Sequence, residues 1–161
     1  MAEQVFVISD LHLGGEPGFQ MCSPAGQKLL AGFTRWVTSQ QQPGRDAHIV
    51  IAGDGVDFLA ENPSSAFTGD EGEAARKLGA IFEHTREVWD ALRAHVAAGA
   101  KLTVMLGNHD IELSLPRVRR MFGERLGVGR VEILYDDEAV RIGGLVIEHG
   151  NRYDDWNWVD H

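Results

Sequence analysis

Three runs of consecutive apolar residues set the plan of this chain, and each gives way to a short polar block containing aspartate or histidine. Residues 4–9 (Gln-Val-Phe-Val-Ile-Ser), 47–52 (Ala-His-Ile-Val-Ile-Ala) and 101–106 (Lys-Leu-Thr-Val-Met-Leu) are rich in β-branched side chains and lack two-residue alternation. Such runs belong to strands buried on both faces, the habit of parallel sheets. Between the first two, Ser23-Pro24 offers an N-cap with proline at the first helical position, and Leu29, Leu30, Phe33, Trp36 and Val37 continue at helical spacing. This predicts a helix ending near Gln42, before Pro43. Between the second and third, Leu78, Ile81, Phe82, Thr85, Val88, Trp89, Leu92 and Val96 recur every three or four residues, predicting one long amphipathic helix from about Glu73 to Ala98 with Gly99 as its stop. Residues 60–72, with Pro63, Gly69, Gly72 and no apolar period, read as a surface loop. The strand–helix–strand order implies parallel pairing.

Beyond the third run the pattern shortens. Residues 116–127 predict a helix built on Val118, Met121, Phe122 and Leu126. Residues 131–135 and 138–148, with Gly143-Gly144 as a hairpin turn, read as antiparallel strands that end in Glu148-His149. No repeat, coiled coil or low-complexity tract interrupts the 161 residues, a length that suits a single domain over 1–161 with a sizeable core.

Charge and cysteine usage narrow the setting. A formal charge of −9 disfavours a broad nucleic-acid-binding face, although bound divalent cations would reverse the field locally where an anionic substrate docks. Cys22 is the single cysteine, so no internal disulfide forms; it reads as an inert thiol, and a reducing, cytoplasmic setting is the simpler one. No signal-peptide pattern follows Met1, and no stretch of about 18 apolar residues offers a transmembrane helix.

The polar blocks carry the chemistry. Asp10-Leu11-His12, Gly53-Asp54-Gly55-Val56-Asp57, Gly107-Asn108-His109-Asp110 and His149-Gly150 place hard and borderline metal ligands at the ends of successive predicted strands. Asp10 and His12 are two apart, so in extended backbone both side chains face one way and grip one ion. Carboxylate with imidazole suits Mn, Fe or Zn better than Mg or Ca. His109 is one residue beyond Asn108, poorly placed to ligate the same ion but free to protonate a leaving-group oxygen. Taken singly, Asp10 with His12 and Gly53-Asp54 each read sooner as a polar loop or turn than as a metal site, and Gly107-Asn108-His109-Asp110 reads equally well as a turn.

Together and in this order, the blocks resemble the calcineurin-like metallophosphoesterases, over residues 4 to about 152. The resemblance implies an α/β sandwich of two mixed sheets flanked by helices, with two divalent ions, Mn foremost, at the C-terminal ends of the central strands. It implies Asp10 and His12 on one metal, Asp54 bridging both, Asn108 and His149 on the second, His109 as general acid, Asp110 orienting it, and Asp57 fixing a ligand's tautomer. Two cations about 3.5–4 Å apart lower the pKa of a shared water and supply hydroxide, so the implied reaction is hydrolysis of a phosphomonoester, phosphodiester or pyrophosphate bond in a small-molecule or nucleotide-type substrate. Glu148 to Asp154 resembles the bacterial branch that includes the UDP-diacylglucosamine pyrophosphohydrolases, while histidine at position 109 favours the broader phosphoesterase pattern.

That family carries a further Gly-His-x-His block, and this chain ends at His161 without it. The expectation is therefore a C-terminally truncated or split domain whose strand edges and apolar faces seek a second copy or a missing C-terminal polypeptide, with Trp156 and Trp158 on that seam or anchored in the core. His161 could substitute as a ligand, but it follows an acidic, Trp-rich stretch (Asp154, Asp155, Trp156, Trp158, Asp160) with no glycine turn. The rival to an enzyme is a noncatalytic scaffold on the same fold; a nuclease is disfavoured by the acidic balance. Arg117, Arg119, Arg120 and Arg125 read first as a solvated basic face and second as a source of one or two phosphate-binding forks. His48, His84 and His95 read as structural or surface residues, and no substrate-binding residue can be singled out.

Overall fold

The apolar runs lie side by side as strands β1 (Ala2–Ile8), β2 (Arg45–Ala52) and β3 (Lys101–Met105), and β4 (Val131–Leu134) joins beyond β3. All neighbours are parallel and the order is β1-β2-β3-β4. The structure, a computed structural model, describes residues 2–127, 130–135 and 139–156. It is an α/β fold: helices α1 (Pro24–Ser39), α2 (Glu71–His84), α3 (Arg86–Ala97) and α4 (Pro116–Leu126) accompany the parallel sheet, and β5 (Ala139–Ile142) pairs antiparallel with β6 (Leu145–Glu148).

Alternation along the strands divides the core. Ala47, Ile49, Ile51, Leu102 and Val104 face the helices, where Leu78, Ile81, Val88, Leu92, Val118 and Phe122 bury against them. Val50, Ala52 and Met105 point the opposite way and meet Ile147 of the hairpin, with Val140 and Ile142 alongside. A continuous apolar run on a central strand is thus two half-patterns serving two layers. Trp89 meets Phe82 and Phe122 edge to face at centroid separations of 5.2 and 5.5 Å, and the two phenyl rings lie tilted 6.3 Å apart, locking α2, α3 and α4 together.

Several expectations are corrected. The long helix expected over Glu73–Ala98 is two helices broken at Thr85, whose backbone leaves the helical region at φ −124° and ψ 30°. The buried Thr85 hydroxyl donates to the Ile81 carbonyl and accepts from Trp89 Nε1 at 2.7 Å, so the break is satisfied internally while the apolar stripe runs on undisturbed. The first helix stops at Ser39 rather than Gln42, and α2 starts two residues early because Asp70 caps it, accepting from the Gly72 and Glu73 amides. Residues 131–134 pair parallel with β3 instead of antiparallel with the hairpin, because α4 serves as the crossover that returns the chain in the same direction. Among the described residues the sheets are consequently one parallel and one antiparallel rather than two mixed sheets. Trp158, Asp160 and His161 lie outside the described residues. Among those described, no helix is long and apolar enough to cross a membrane.

Candidate metal centre

Every polar block named from the sequence lies at the C-terminal end of the parallel sheet or beside it, and the backbone there departs from strand geometry in one specific way. Asp10, His12 and Asp54 have φ of 55°, 43° and 52°, and among the described residues they are the non-glycine positions with positive φ. A left-handed conformation costs an ordinary L-residue roughly 1–2 kcal/mol, and asparagine, aspartate and histidine bear it best. The convergence of Asp10 and His12 therefore does not come from extended backbone, as their spacing suggests, but from two left-handed turns. Parallel-style bonds hold the turns in place: the amides of Asp10, His12 and Leu13 donate to the carbonyls of Gly53, Asp54 and Gly55, and the Asp57 amide returns a bond to Leu13.

Two glycines make room for the ligands. A Cβ on Gly107 would fall 2.2 Å from Asp54 Oδ1, and one on Gly53 would fall 2.5 Å from the His149 ring. These contacts give the Gly-Asp and Gly-Asn dipeptides a steric reason: each glycine lets a ligand side chain lie directly on the neighbouring backbone.

The donors gather in a cleft of about 770 Å³ that Asp10, His12, Asp54, Asn108, His109 and His149 line, with Val7, Met21 and Val146 as an apolar flank. Ligating atoms of Asp10, His12 and Asp54 all lie within 4.8 Å of one another, as do those of His12, Asp57 and His109. Asp54 is the hub. Its Oδ2 stands 3.8 Å from His12 Nε2 and 3.4 Å from His149 Nε2, and its Oδ1 accepts from the His109 amide at 2.9 Å. Burial works to raise the Asp54 carboxyl, but the His149 ring and the His109 amide outweigh it and hold the group below the usual carboxylate value. His149 is raised in turn, chiefly by Asp54. His149 Nδ1 donates to the Ala52 carbonyl at 2.8 Å, which leaves Nε2 as the atom presented to the cleft.

The expected orientation of His109 by Asp110 is not what the contacts show. Asp110 is fully buried, and its carboxylate accepts from the Gly107 amide at 2.6 Å and the Gly55 amide at 2.8 Å, stapling the two ligand loops together. Burial pushes its carboxyl up to about 7. The carboxylate beside His109 is Asp57: Oδ1 lies 3.3 Å from His109 Nδ1, and Oδ2 lies 3.4 Å from His12 Nδ1. Both Nδ1 atoms are buried without a hydrogen-bond partner among the described residues. A set of carboxylates, imidazoles and one carboxamide with orphaned ring nitrogens and strained ligand backbones fits divalent metal ions.

None of the arginines of α4 lines this cleft. Arg125 pairs with Asp90 at 2.8 Å, and Arg119 lies 3.5 Å over the Tyr135 ring and donates to the Ser114 carbonyl. Sequence reasoning missed Glu61, buried four residues beyond Asp57, which accepts from the Gly15 amide at 2.8 Å and faces His84 Nδ1 at 3.3 Å, tying the first ligand loop to α2. It also missed buried Lys77, which donates to the Phe58 carbonyl at 3.3 Å and to Ser65 Oγ at 3.1 Å. Neither sits in a local pattern that would have marked it. Burial raises the Cys22 thiol, in keeping with an inert side chain. No protein-family model matches this chain, and no curated protein matches it in sequence.

Proposed function

We propose that this chain is a metal-dependent phosphoesterase of the calcineurin-like kind, built to hold two divalent ions and hydrolyse a phosphate ester or pyrophosphate. The observation that carries the reading is the coincidence of strain with ligand identity. The three positive-φ, non-glycine positions among the described residues are Asp10, His12 and Asp54, three positions that the motif order had already marked as ligands. Such strain persists only where the surrounding structure enforces it, and it clusters at functional sites.

In this reading Asp10, His12 and Asp54 hold one ion and Asp54, Asn108 and His149 hold the other, with Mn suited to the donor set and Fe or Zn admissible. The ions supply electrostatic stabilisation of the phosphoryl oxygens and acidify water near neutral pH. The protein's own groups do the rest. His109, a quarter exposed at the cleft mouth, delivers a proton to the leaving oxygen. Asp57 stands against the other face of its chemistry at Nδ1, and Asp110 keeps the Gly55 and Gly107 loops in register. The ligand strain counts against a purely structural scaffold, which would gain nothing by keeping three left-handed turns. One cysteine and an acidic surface support a cytoplasmic setting and a small phosphorylated or nucleotide-type substrate rather than a nucleic acid.

The first test is metal content per chain by elemental analysis after purification with Mn supplementation. Close to two ions is the expected result; a value near zero would remove the reading and leave the scaffold.

A further inference from the structure

The two clusters of candidate ligands share His12 but differ in composition, and that difference bears on regulation of the same cleft. We propose that His12, Asp57 and His109 form a zinc site of their own, and that zinc bound there competes with the ion held by Asp10, His12 and Asp54. The site itself stands on the geometry alone; the inhibition it would cause rests on the phosphoesterase reading.

Four observations carry the inference. First, the Nδ1 atoms of His12 and His109 are buried and make no hydrogen bond, although Asp57 oxygens stand only 3.4 and 3.3 Å away. At those separations a well-directed N–H would bond, so the nitrogens do not aim along the lines to the oxygens. Second, ligand atoms on a tetrahedral zinc, with bonds of about 2.0–2.2 Å, lie roughly 3.3–3.5 Å from one another. Each nitrogen–oxygen separation, one to each oxygen of the Asp57 carboxylate, has that length, and one ligating atom from each of the three residues lies within 4.8 Å of the other two. Third, the donors are preorganised. The Asp57 carboxylate is held by the Ala60 amide at 3.1 Å, and the two imidazoles meet edge to face with centroids 4.7 Å apart. Fourth, two imidazoles and one carboxylate, with a fourth position left to solvent, make a donor set characteristic of zinc, whereas the Asp10 trio is richer in oxygen and suits Mn.

The sharing of His12 makes the sites exclusive. Its Nε2 faces Asp54 and its Nδ1 faces Asp57, and a neutral imidazole has one free lone pair to give. An ion in the Asp57 site therefore takes His12 from the other trio and at the same time ties up His109, the proposed proton donor. Zinc in excess would inhibit by both routes without entering the substrate's place.

The test is binding, not turnover. Metal-stripped protein is titrated with Zn²⁺ against a chromophoric chelator and with Mn²⁺ by electron paramagnetic resonance, for wild type, His109→Gln, Asp57→Asn and Asp10→Asn, each checked for folding by circular dichroism. His109→Gln should weaken zinc by at least roughly tenfold, the loss that removing even a ligand's supporting partner commonly brings, while leaving Mn affinity within about twofold. Asp57→Asn should weaken zinc likewise, and Asp10→Asn should weaken Mn and spare zinc. Co²⁺ should give the intense visible absorption of a four-coordinate site in wild type and lose it in His109→Gln. Unchanged zinc affinity in His109→Gln, or equal loss of both metals in His109→Gln and Asp10→Asn, would overturn the proposal. Zinc binding that depends on His109 in a protein that takes no Mn would uphold this site and sink the two-ion reading instead.

Discussion

The two ends of the parallel sheet each bury histidine among carboxylates, and they have opposite characters. At the N-terminal end, His48 Nδ1 lies 2.8 Å from Glu3 Oε1 and its Nε2 lies 2.8 Å from the Thr103 hydroxyl, three side chains in a row across β1, β2 and β3. Lys101 adds a bond to Glu3, and Arg130 closes a two-pronged contact on Asp46, with 2.6 Å for the shorter arm. That contact holds the Asp46 carboxyl far below its usual value. At this end the buried histidine has a partner for each ring nitrogen, and the residues that carry the row stand in regular strands. At the C-terminal end, Asp10, His12 and Asp54 are strained and two imidazole nitrogens have no partner among the described residues. The same residue types thus read differently: satisfied and relaxed, they brace a sheet; orphaned and strained, they support the proposal of a bound metal.

The comparison breaks most visibly at Asp54. Asp54→Asn should lower hydrolysis of nitrophenyl and alkyl phosphate esters by on the order of 10³-fold, because the residue is the hub of both proposed metal positions. The thermal midpoint in metal-free buffer should fall modestly, since the variant loses the charge that the His149 ring and the His109 amide stabilise in the folded protein. Next in size is His109→Gln, which should slow alkyl esters by about 10²-fold or more while nitrophenyl esters, whose leaving groups need no proton, lose far less. Wild-type rates in both variants would dispose of the mechanism.

Much of this was legible beforehand, and the parts that were not share a cause. The three apolar runs, the capped first helix and the Gly143-Gly144 hairpin are local patterns, and the structure places them where their periodicity predicts. The ligand residues were legible as types after strands, and five of the expected ligands and His109 line one cleft. What escaped depends on partners distant in sequence. Thr85 breaks a helix whose apolar stripe is continuous, because the break is satisfied by Ile81 and Trp89 within the same stripe. The pairing of residues 131–134 with β3 is set by where α4 returns the chain, not by their own composition. Asp57 rather than Asp110 faces His109 because Asp110, next in sequence, is turned inward to two backbone amides. Left-handed backbone at Asp10 and His12 carries no sequence signal beyond their tolerance for it.

A matched pair of glycine substitutions sharpens the comparison with a smaller effect. Gly99, at the N-terminal side of β3, has φ of 81° and open space where a Cβ would go, so Gly99→Ala should cost about 1 kcal/mol of stability through backbone strain alone. Gly107, just past the other end of β3, has no such positive φ but would thrust its Cβ to 2.5 Å from the Asp54 amide nitrogen as well as into its carboxylate. Gly107→Ala should displace Asp54 and weaken Mn binding by at least roughly tenfold, while Gly99→Ala leaves Mn affinity unchanged. Denaturant melts and metal titrations on both variants separate the two outcomes. Equal metal affinities would mean that the close approach of Gly107 to Asp54 serves packing only.

The smallest expected effect tests whether the N-terminal cluster is as purely structural as its satisfied bonds imply. Burial lowers His48 below its ordinary value near 6.5, with the Glu3 carboxylate opposing but not cancelling that effect. The folded protein therefore keeps His48 neutral, Nδ1–H donating to Glu3 and Nε2 accepting from Thr103. Above the ordinary value neither state takes up a proton and His48 adds no pH dependence. As pH falls below about 6.5 the unfolded chain protonates first, so stability declines until the lowered folded value is reached. His48→Gln should cost about 1 kcal/mol at pH 7.5 from the lost buried bonds, and its stability should fall less steeply than that of wild type between pH 7 and 5 in urea melts. Mn affinity should not move in either direction, because the strained ligand turns are anchored by β1–β2 backbone bonds at the far end of the sheet. A change in metal affinity on His48→Gln would show that the two ends are mechanically coupled through β2, which runs directly from His48 into Gly53 and Asp54.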